Sequence, residues 1–545
     1  MQRRLDPVLL VRSSIGRGAA QLLKRRTAVG SASGTPHVAE HEYAISRGLH
    51  MKYYLIAGVL SAVVLAAAPA QTNSQARKAT PAKVTIDSGV LVGESIDGVN
   101  VFRGVPYAKP PIGELRWKTP QKPDKWPGER SAVAFEPPCA QPTNIDGKTA
   151  NGGGVAGVTS EDCLYLNVYA PANASKAPVV VWLYGGAFYL GAGHLGSYNG
   201  TSNARNGVIT VAFNYRLGSL GTFAHPALTK EAGTTGKTGS FALMDAVAAL
   251  EWVKRNATAF GGDPNNVTVA GQSAGAVMVL DLLSIPAAKG LYHKAVIQSG
   301  AMMLGTAPKL ADAEKRGADA ATALGLPGAQ ATVAQLRAIS AQTLVANPAT
   351  QSGFSLPLGL STSALNPSLH LGAPIDGRFK TTSTVDALNA GTEIDVPVMV
   401  GSNSGEAGFG GARTVAKLAG ASGAGAWLYQ FAYVPAFRKA EWKSGAIHSA
   451  ELMFTFDSID TASWSQSASG KADDADHTFA KTVNSCWIAF YKMDPKAKSL
   501  TCADGLVWPA YTEATDQAMQ FKDKAQVVKS KAIPDGPTPP ASGGS

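Results

Sequence analysis

VTVAGQSAGA, residues 267–276, is the stretch whose reading decides the fold. A β-branched run leads into Ser273, which is flanked by Gly271, Ala274 and Gly275. Small residues on both sides of a serine imply a backbone bent too sharply for larger neighbours. Such a serine is either a turn-former or a nucleophile pushed into the open, and its context separates the two. The run before it reads as a buried strand, and residues 274–285 read as a helix. Gly271-Gln272-Ser273-Ala274-Gly275 therefore fits the G-x-S-x-G elbow, in which a strained serine joins a strand to a helix. A helix beginning at Ala274 points free backbone N–H groups at a developing oxyanion.

The same alternation extends outward from the serine. PVVVWLY (178–184), GVITVAFN (207–214), NNVTVAG (265–271), KAVIQS (294–299), DVPVMVG (395–401) and WLYQFAY (427–433) read as strands. Val- and Ile-rich runs without polar alternation fit strands covered on both faces. Helical patterns lie between them, as in the spacing of Leu243, Val247, Leu250 and Val253. Strand–helix–strand order predicts an α/β fold around a mostly parallel sheet flanked by helices. Residues 143–160 and the Ala/Leu-rich region 305–370 read as insertions over the active edge of that sheet.

The chain has 545 residues, 45% of them apolar and 16% charged, and a mean hydropathy near zero. That is the composition of a globular protein with a large core. The net charge of +10 invites a nucleic-acid reading, but +6 of it falls in residues 1–70. The remaining charge makes no electrostatic footprint for nucleic acid. In MKYYLIAGVLSAVVLAAAPAQ (51–71), Lys52 precedes about fifteen apolar or small residues and Ala68-Pro69-Ala70. This reads as a secretory signal cleaved after Ala70, short for a membrane span and followed by polar sequence, with an uncleaved anchor as the alternative. The fifty residues before Met51 read as a gene-model extension or a long leader. The expected organisation is thus an N-terminal extension with signal (1–70, signal core 51–70), one enzyme domain (71–520) and a polar, Pro/Gly-rich tail (521–545). The expected destination is secreted or periplasmic, without stable membrane insertion after cleavage.

Cys139, Cys163, Cys486 and Cys502 are the cysteines, spaced 24 and 16 apart within each half. In an exported protein they suggest two local disulfides, each worth on the order of 3 kcal/mol in the chain-entropy model. No spacing suits a zinc site.

A serine nucleophile needs a base and an orienting acid, and in α/β-hydrolases the order along the chain is Ser, Asp/Glu, His. Downstream of Ser273 stand His293, His370, His448 and His477. His477 sits in a helical pattern, whereas His448, in SGAIHSAELMF, lies in a loop after a strand, where a mobile base belongs. Glu406 follows DVPVMVG by a few residues, just beyond the carboxyl end of a strand. Asp376 and Asp395 compete with it. VWLYGGAFYLG (181–191) ends a buried strand in consecutive glycines and matches the HGGG-type loop of esterases, with Tyr184 in the histidine position. The oxyanion donors would be Gly186, Ala187 and Ala274. Losing one such donor typically reduces the rate by about 100- to 1,000-fold.

FRGVPYAKPPIGELRW (102–117), SEDCLYLNVYAP (160–171), VWLYGGAFYLG, NYRLG (214–218), FGGDPNNVTVAGQSAGA (260–276), AVIQSG (295–300) and IHSAELMFTF (447–456) together resemble the type-B carboxylesterase/cholinesterase-like family. The resemblance runs in order across roughly residues 83–515. It implies an α/β-hydrolase fold and ester hydrolysis through an acyl-enzyme, with Ser273 as nucleophile, Glu406 as acid and His448 as base. It also implies a Cys139–Cys163 disulfide and an Arg103–Glu161 ion pair. Three departures bear on substrate. Gln272 stands where the family usually has Glu, which removes a negative charge beside the site. The Cys139–Cys163 loop contains no tryptophan, so the aromatic platform for choline is missing there. Glu406 and His448 are 42 residues apart, short for the family, which implies a more open site.

The expectation is a secreted serine carboxylesterase acting on uncharged, small-molecule esters, with no metal or organic cofactor implied. A lipase on longer-chain esters is the runner-up. A non-catalytic esterase-like binding module is the reading from a different class.

Overall fold

The computed structural model describes residues 79–143, 157–305, 307–346, 373–462 and 470–537. The signal segment, most of 143–160 and 347–370, and the end of the tail lie outside the described residues.

Among the described residues, thirteen strands form one mixed sheet. In chain order they begin with β1 (Thr80–Ile86), β2 (Gly89–Ile96), β3 (Val99–Pro106), β4 (Glu129–Ser131) and β5 (Tyr165–Pro171). The centre follows as β6 (Ala177–Leu183), β7 (Ile209–Phe213), β8 (Gly262–Gln272), β9 (Lys294–Gln298), β10 (Val398–Asn403) and β11 (Ala426–Phe431). A separate ribbon of β12 (Ser499–Thr501) and β13 (Val507–Pro509) precedes β14 (Gln517–Phe521) and β15 (Ala525–Lys529). The spatial order is β1-β2-β3-β5-β7-β6-β8-β9-β10-β11-β14-β15, with β4 beside β2. From β7 through β14 in that order neighbours pair in parallel, and the outer strands pair antiparallel except β4, which runs parallel to β2.

Each strand read from the sequence is present, and burial explains why those runs lack alternation. Residues 179–183 of β6 are wholly buried, as are all of β9, β10 and β11. The helix Phe241–Asn256 turns Leu243, Val247, Leu250 and Val253 inward. All nine residues of the helix Ala274–Leu282 are buried, which accounts for its lack of a polar face. One deep ion pair ties a helix to the sheet. Arg216, just after β7, holds Asp245 through its Nε and Nη2 at 2.9 and 2.7 Å, and both are essentially inaccessible.

Both expected disulfides are formed, Cys139–Cys163 and Cys486–Cys502. The ion pair implied by resemblance is different. Arg103 pairs with Glu94 on the neighbouring strand, and Glu161 is gripped by Arg116 through Nε and Nη2. Arg103 sits within β3, and its guanidinium stays beside that strand, also donating to the Val133 carbonyl. Arg116 lies past the Gly113–Leu115 turn, which carries it to Glu161. The sheet also continues past residue 520, where the sequence suggested a tail. β15 pairs antiparallel with β14 around the Lys522–Lys524 turn. As a half-exposed edge strand, β15 carries little apolar signal. No helix among the described residues is long and apolar enough to cross a membrane.

Removing one partner of the buried pair tests this packing. Arg216→Met is expected to lower the unfolding free energy by about 3–5 kcal/mol, because Asp245 is left charged and unpaired in the core. Urea denaturation of the variant beside wild type measures it.

Candidate active site

Ser273 occupies the single residue between β8 and its helix, at φ 55° and ψ −124°. A non-glycine residue at positive φ is held there by its surroundings, and here those are identifiable. A Cβ on Gly275 would stand 2.0 Å from the Leu183 carbonyl oxygen, and one on Gly271 would stand 2.5 Å from that of Gly275. The turn is therefore clamped between β6 and its own helix, at a spacing only glycine allows. The Ser273 N–H donates to the Gln298 carbonyl of β9 at 2.9 Å, which fixes the turn to the other side of the sheet.

The loop after β6 comes up against the same serine. The site of a missing Cβ on Gly185 is 2.8 Å from the Ser273 Cβ. Beyond it Gly186, Ala187 and Phe188 all have positive φ. The loop is anchored at both ends. Tyr184 is fully buried and stacks on Tyr215 at 4.3 Å, and the Tyr215 hydroxyl donates to the Tyr184 carbonyl at 2.6 Å. At the far end, Gln141 exchanges two hydrogen bonds of 2.8 Å with the Gly191 backbone. Tyr184 thus fills the family's histidine position as a packing element. The first N–H groups of the helix, beginning with Ala274, have no acceptor within that helix.

Glu406 lies three residues past β10 and His448 in the loop after β11, so both stand at the carboxyl edge where Ser273 stands. The two loops are stitched together. Gly405 N–H donates to the Ala446 carbonyl at 2.8 Å, Ala446 N–H to Ser404 Oγ at 3.1 Å, and Asn403 Nδ2 to the Ile447 carbonyl at 2.7 Å. Glu406 Oε2 takes His448 Nδ1 in a short hydrogen bond. Its Oε1 accepts from the Asn403 N–H at 2.8 Å and from Ser299 Oγ at 2.5 Å. The carboxylate is 1% exposed, while the ring keeps an accessible edge at 35%. The outer nitrogen, Nε2, lies 3.2 Å from Nε2 of Gln272.

The competing residues are engaged elsewhere. Asp376 caps a turn through the N–H groups of Arg378, Phe379 and Lys380, and Asp395 accepts from Ala424 N–H. His293 accepts from the Val267 N–H, His477 faces Asp460 at the surface, and His370 lies outside the described residues.

Sequence reasoning missed a second carboxylate. Glu451, three residues past His448, is completely buried and accepts from Asn403 Nδ2 at 2.5 Å and Gln298 Nε2 at 3.2 Å. Gln298 in turn accepts from Trp487 Nε1 at 3.1 Å. Burial and the nearby Glu406 charge push the Glu451 carboxyl up to about 7. Burial alone would lower the His448 pKa, but the charge of Glu406, its hydrogen bond and the charge of Glu451 raise it above its ordinary value. The only signal in the sequence was an acid one helical turn from the histidine, a spacing any surface helix also shows.

The sheet order and the strand-to-helix elbow are those of an α/β-hydrolase. More particularly, the chain belongs to the carboxylesterase family, a family of carboxylic ester hydrolases, whose model matches residues 80–417. It is 32% identical over 489 residues to para-nitrobenzyl esterase of Bacillus subtilis (strain 168), covering 80% of this chain and 94% of the relative. It is 38% identical over 321 residues to fumonisin B1 esterase of Sphingopyxis macrogoltabida, covering 58% of this chain and 55% of that relative's length. Among solved structures, a PNB esterase superposes with a TM-score of 0.69 at 28% identity, over 82% of this chain and 97% of that one. A Geobacillus stearothermophilus carboxylesterase gives 0.66 at 28% identity, over 83% and 99%.

The raised Glu451 pKa predicts a pH-dependent stability. The folded state keeps a proton that the unfolded chain releases near 4.5, so this favourable contribution is full below that value and is lost as pH rises through about 7. Glu451→Gln does not titrate. Its stability relative to wild type is expected to improve between about pH 5 and about pH 8, on the order of 1–3 kcal/mol. Denaturant unfolding at both pH values measures the change, and a gap that stays constant contradicts the assignment.

Proposed function

We propose that this protein is an exported serine carboxylesterase that hydrolyses uncharged carboxylic esters through Ser273, His448 and Glu406. The observation that carries the reading is Glu406 bonded to His448 Nδ1 at the same sheet edge as a strained Ser273. Because Glu406 accepts a hydrogen bond from Nδ1–H and keeps the proton on that nitrogen, neutral His448 presents Nε2 as a lone pair, the tautomer a general base needs. Nε2 removes the Ser273 Oγ proton as Oγ attacks the ester carbonyl. The oxyanion is met by the N–H groups of Gly186, Ala187 and Ala274, and collapse expels the alcohol with the proton returned from Nε2. Water activated by the same nitrogen then hydrolyses the acyl-enzyme, releasing the acid and restoring Ser273. Export is supported by the signal-like residues 51–70 and is compatible with the two disulfides.

Hydrolysis of p-nitrophenyl acetate, butyrate and palmitate by the chain from Gln71 tests the reading. Short-chain hydrolysis is expected in wild type and a loss of several orders of magnitude in a folded Ser273→Ala variant. Unchanged activity in the variant removes Ser273 from the mechanism, and a preference for palmitate favours a lipase. A second expectation concerns pH. Because the carboxylates raise the His448 pKa, the base is lost to protonation as pH falls, and the acid limb of kcat/KM should lie above 6.5.

A further inference from the structure

The nitrogen of His448 that must receive the serine proton already faces a side chain. Gln272 is the last residue of β8, 1% exposed, and its Nε2 is 3.2 Å from His448 Nε2. With the Nδ1 proton directed at Glu406, Nε2 of the neutral ring offers only a lone pair, and only an N–H can pair with it. The amide nitrogen of Gln272 supplies that N–H. Its Oε1 is turned the other way, 2.5 Å from where a Cβ on Gly185 would be. The amide is therefore wedged between the loop after β6 and the imidazole. The backbone that carries it is fixed, because β8 pairs in register with β9 at Gln272 and Gln298 and Ser273 follows at once, so any movement of the amide is a rotation of its side chain.

We propose that Gln272 is a positioning residue of the hydrolytic reaction. Its amide N–H caps Nε2 of His448 in the free enzyme, favours the neutral ring, and yields that nitrogen to the Ser273 hydroxyl when substrate enters. This rests on the triad reading given above. Two acids bear on His448: Glu406 from the loop after β10 and Glu451 from the turn that follows the histidine. Both favour the imidazolium, in which the base is spent before substrate arrives. From the β8 side the facing group is a neutral amide, and an imidazolium would set Nε2–H against its N–H. Gln272 therefore opposes the two carboxylates. A glutamate at the same position would join them as a third acceptor. When Nε2 has taken the Oγ proton, the amide must withdraw or turn Oε1 towards the ring. The proton then passes to the departing alkoxide, and the cap reforms.

The test uses the chain from Gln71 with 15N-histidine labelling, in wild type, Gln272→Met and Gln272→Glu. His448 is titrated by NMR, and the acid limb of kcat/KM is recorded on p-nitrophenyl acetate. The expected order of the His448 pKa is wild type, then Gln272→Met, then Gln272→Glu. The glutamate variant is expected to lie about one pH unit or more above wild type, a tenfold gain in proton affinity, with the acid limb moving in parallel. If either variant fails to fold, Gln272→Asn, whose shorter amide falls back from the ring, is expected to shift in the same direction as Gln272→Met. An unmoved titration and limb, with any loss confined to kcat, would make Gln272 a packing residue and overturn the proposal. Ser273→Ala and His448→Ala separate this from the triad reading. Activity surviving in either removes the triad, while the titration still reports whether Gln272 governs the ring.

Discussion

The rest of the site depends on one steric constraint, the near-contact of three backbone segments around Ser273. Gly275 presses on the Leu183 carbonyl, Gly271 on Gly275, and Gly185 on the Ser273 side chain. At none of the three is there room for a methyl group. Their common effect is to hold a serine in a backbone conformation that costs of order 1–3 kcal/mol in isolation. The burial of the helix behind it and of β6 and β8 beside it offsets that strain. The same approach brings the loop after β6 over the serine, so the candidate nucleophile and the candidate oxyanion donors are positioned by a single packing event.

Around this point the structure balances charge. A histidine with an accessible edge sits beside two buried carboxylates, and these differ in kind. Glu406 is held by a backbone N–H, a serine hydroxyl and the histidine itself. Glu451 is held by two side-chain amides inside an aromatic and aliphatic core, and it titrates near neutrality. Asn403 joins them, giving its backbone N–H to one acid and its side chain to the other. The amides of Gln272, Gln298 and Asn403 thus do most of the polar work around two acids and one base. Neutral donors satisfy these groups without adding charge to the core.

Much of this architecture was legible in the sequence, and what was not has physical reasons. The β6 to β11 strands announced themselves because burial on both faces forces continuous apolar runs. The elbow was legible because only glycine tolerates its contacts. Glu406 could be placed by its distance beyond β10, but only the structure shows that Asp376 caps its own turn and that Asp395 is bonded to the Ala424 N–H. Glu451 carried no signal beyond its spacing from His448, since its character comes from Trp487, Gln298 and Asn403, distant in the chain. The partner of Glu161 was misassigned for the same reason. Arg103 and Arg116 belong to one continuous motif, and the turn at Gly113–Leu115 selects between them. β15 was read as tail because a half-exposed edge strand resembles any polar segment.

The measurement that tests the central claim most directly is covalent trapping of the nucleophile. The chain from Gln71 is treated with a diethyl phosphoryl ester of p-nitrophenol, and the modified peptide is mapped by mass spectrometry. A label confined to Ser273, at one equivalent per chain and strongly slowed in His448→Ala, is what the account predicts. A label on another serine, or labelling of Ser273 at the same rate without His448, would contradict it.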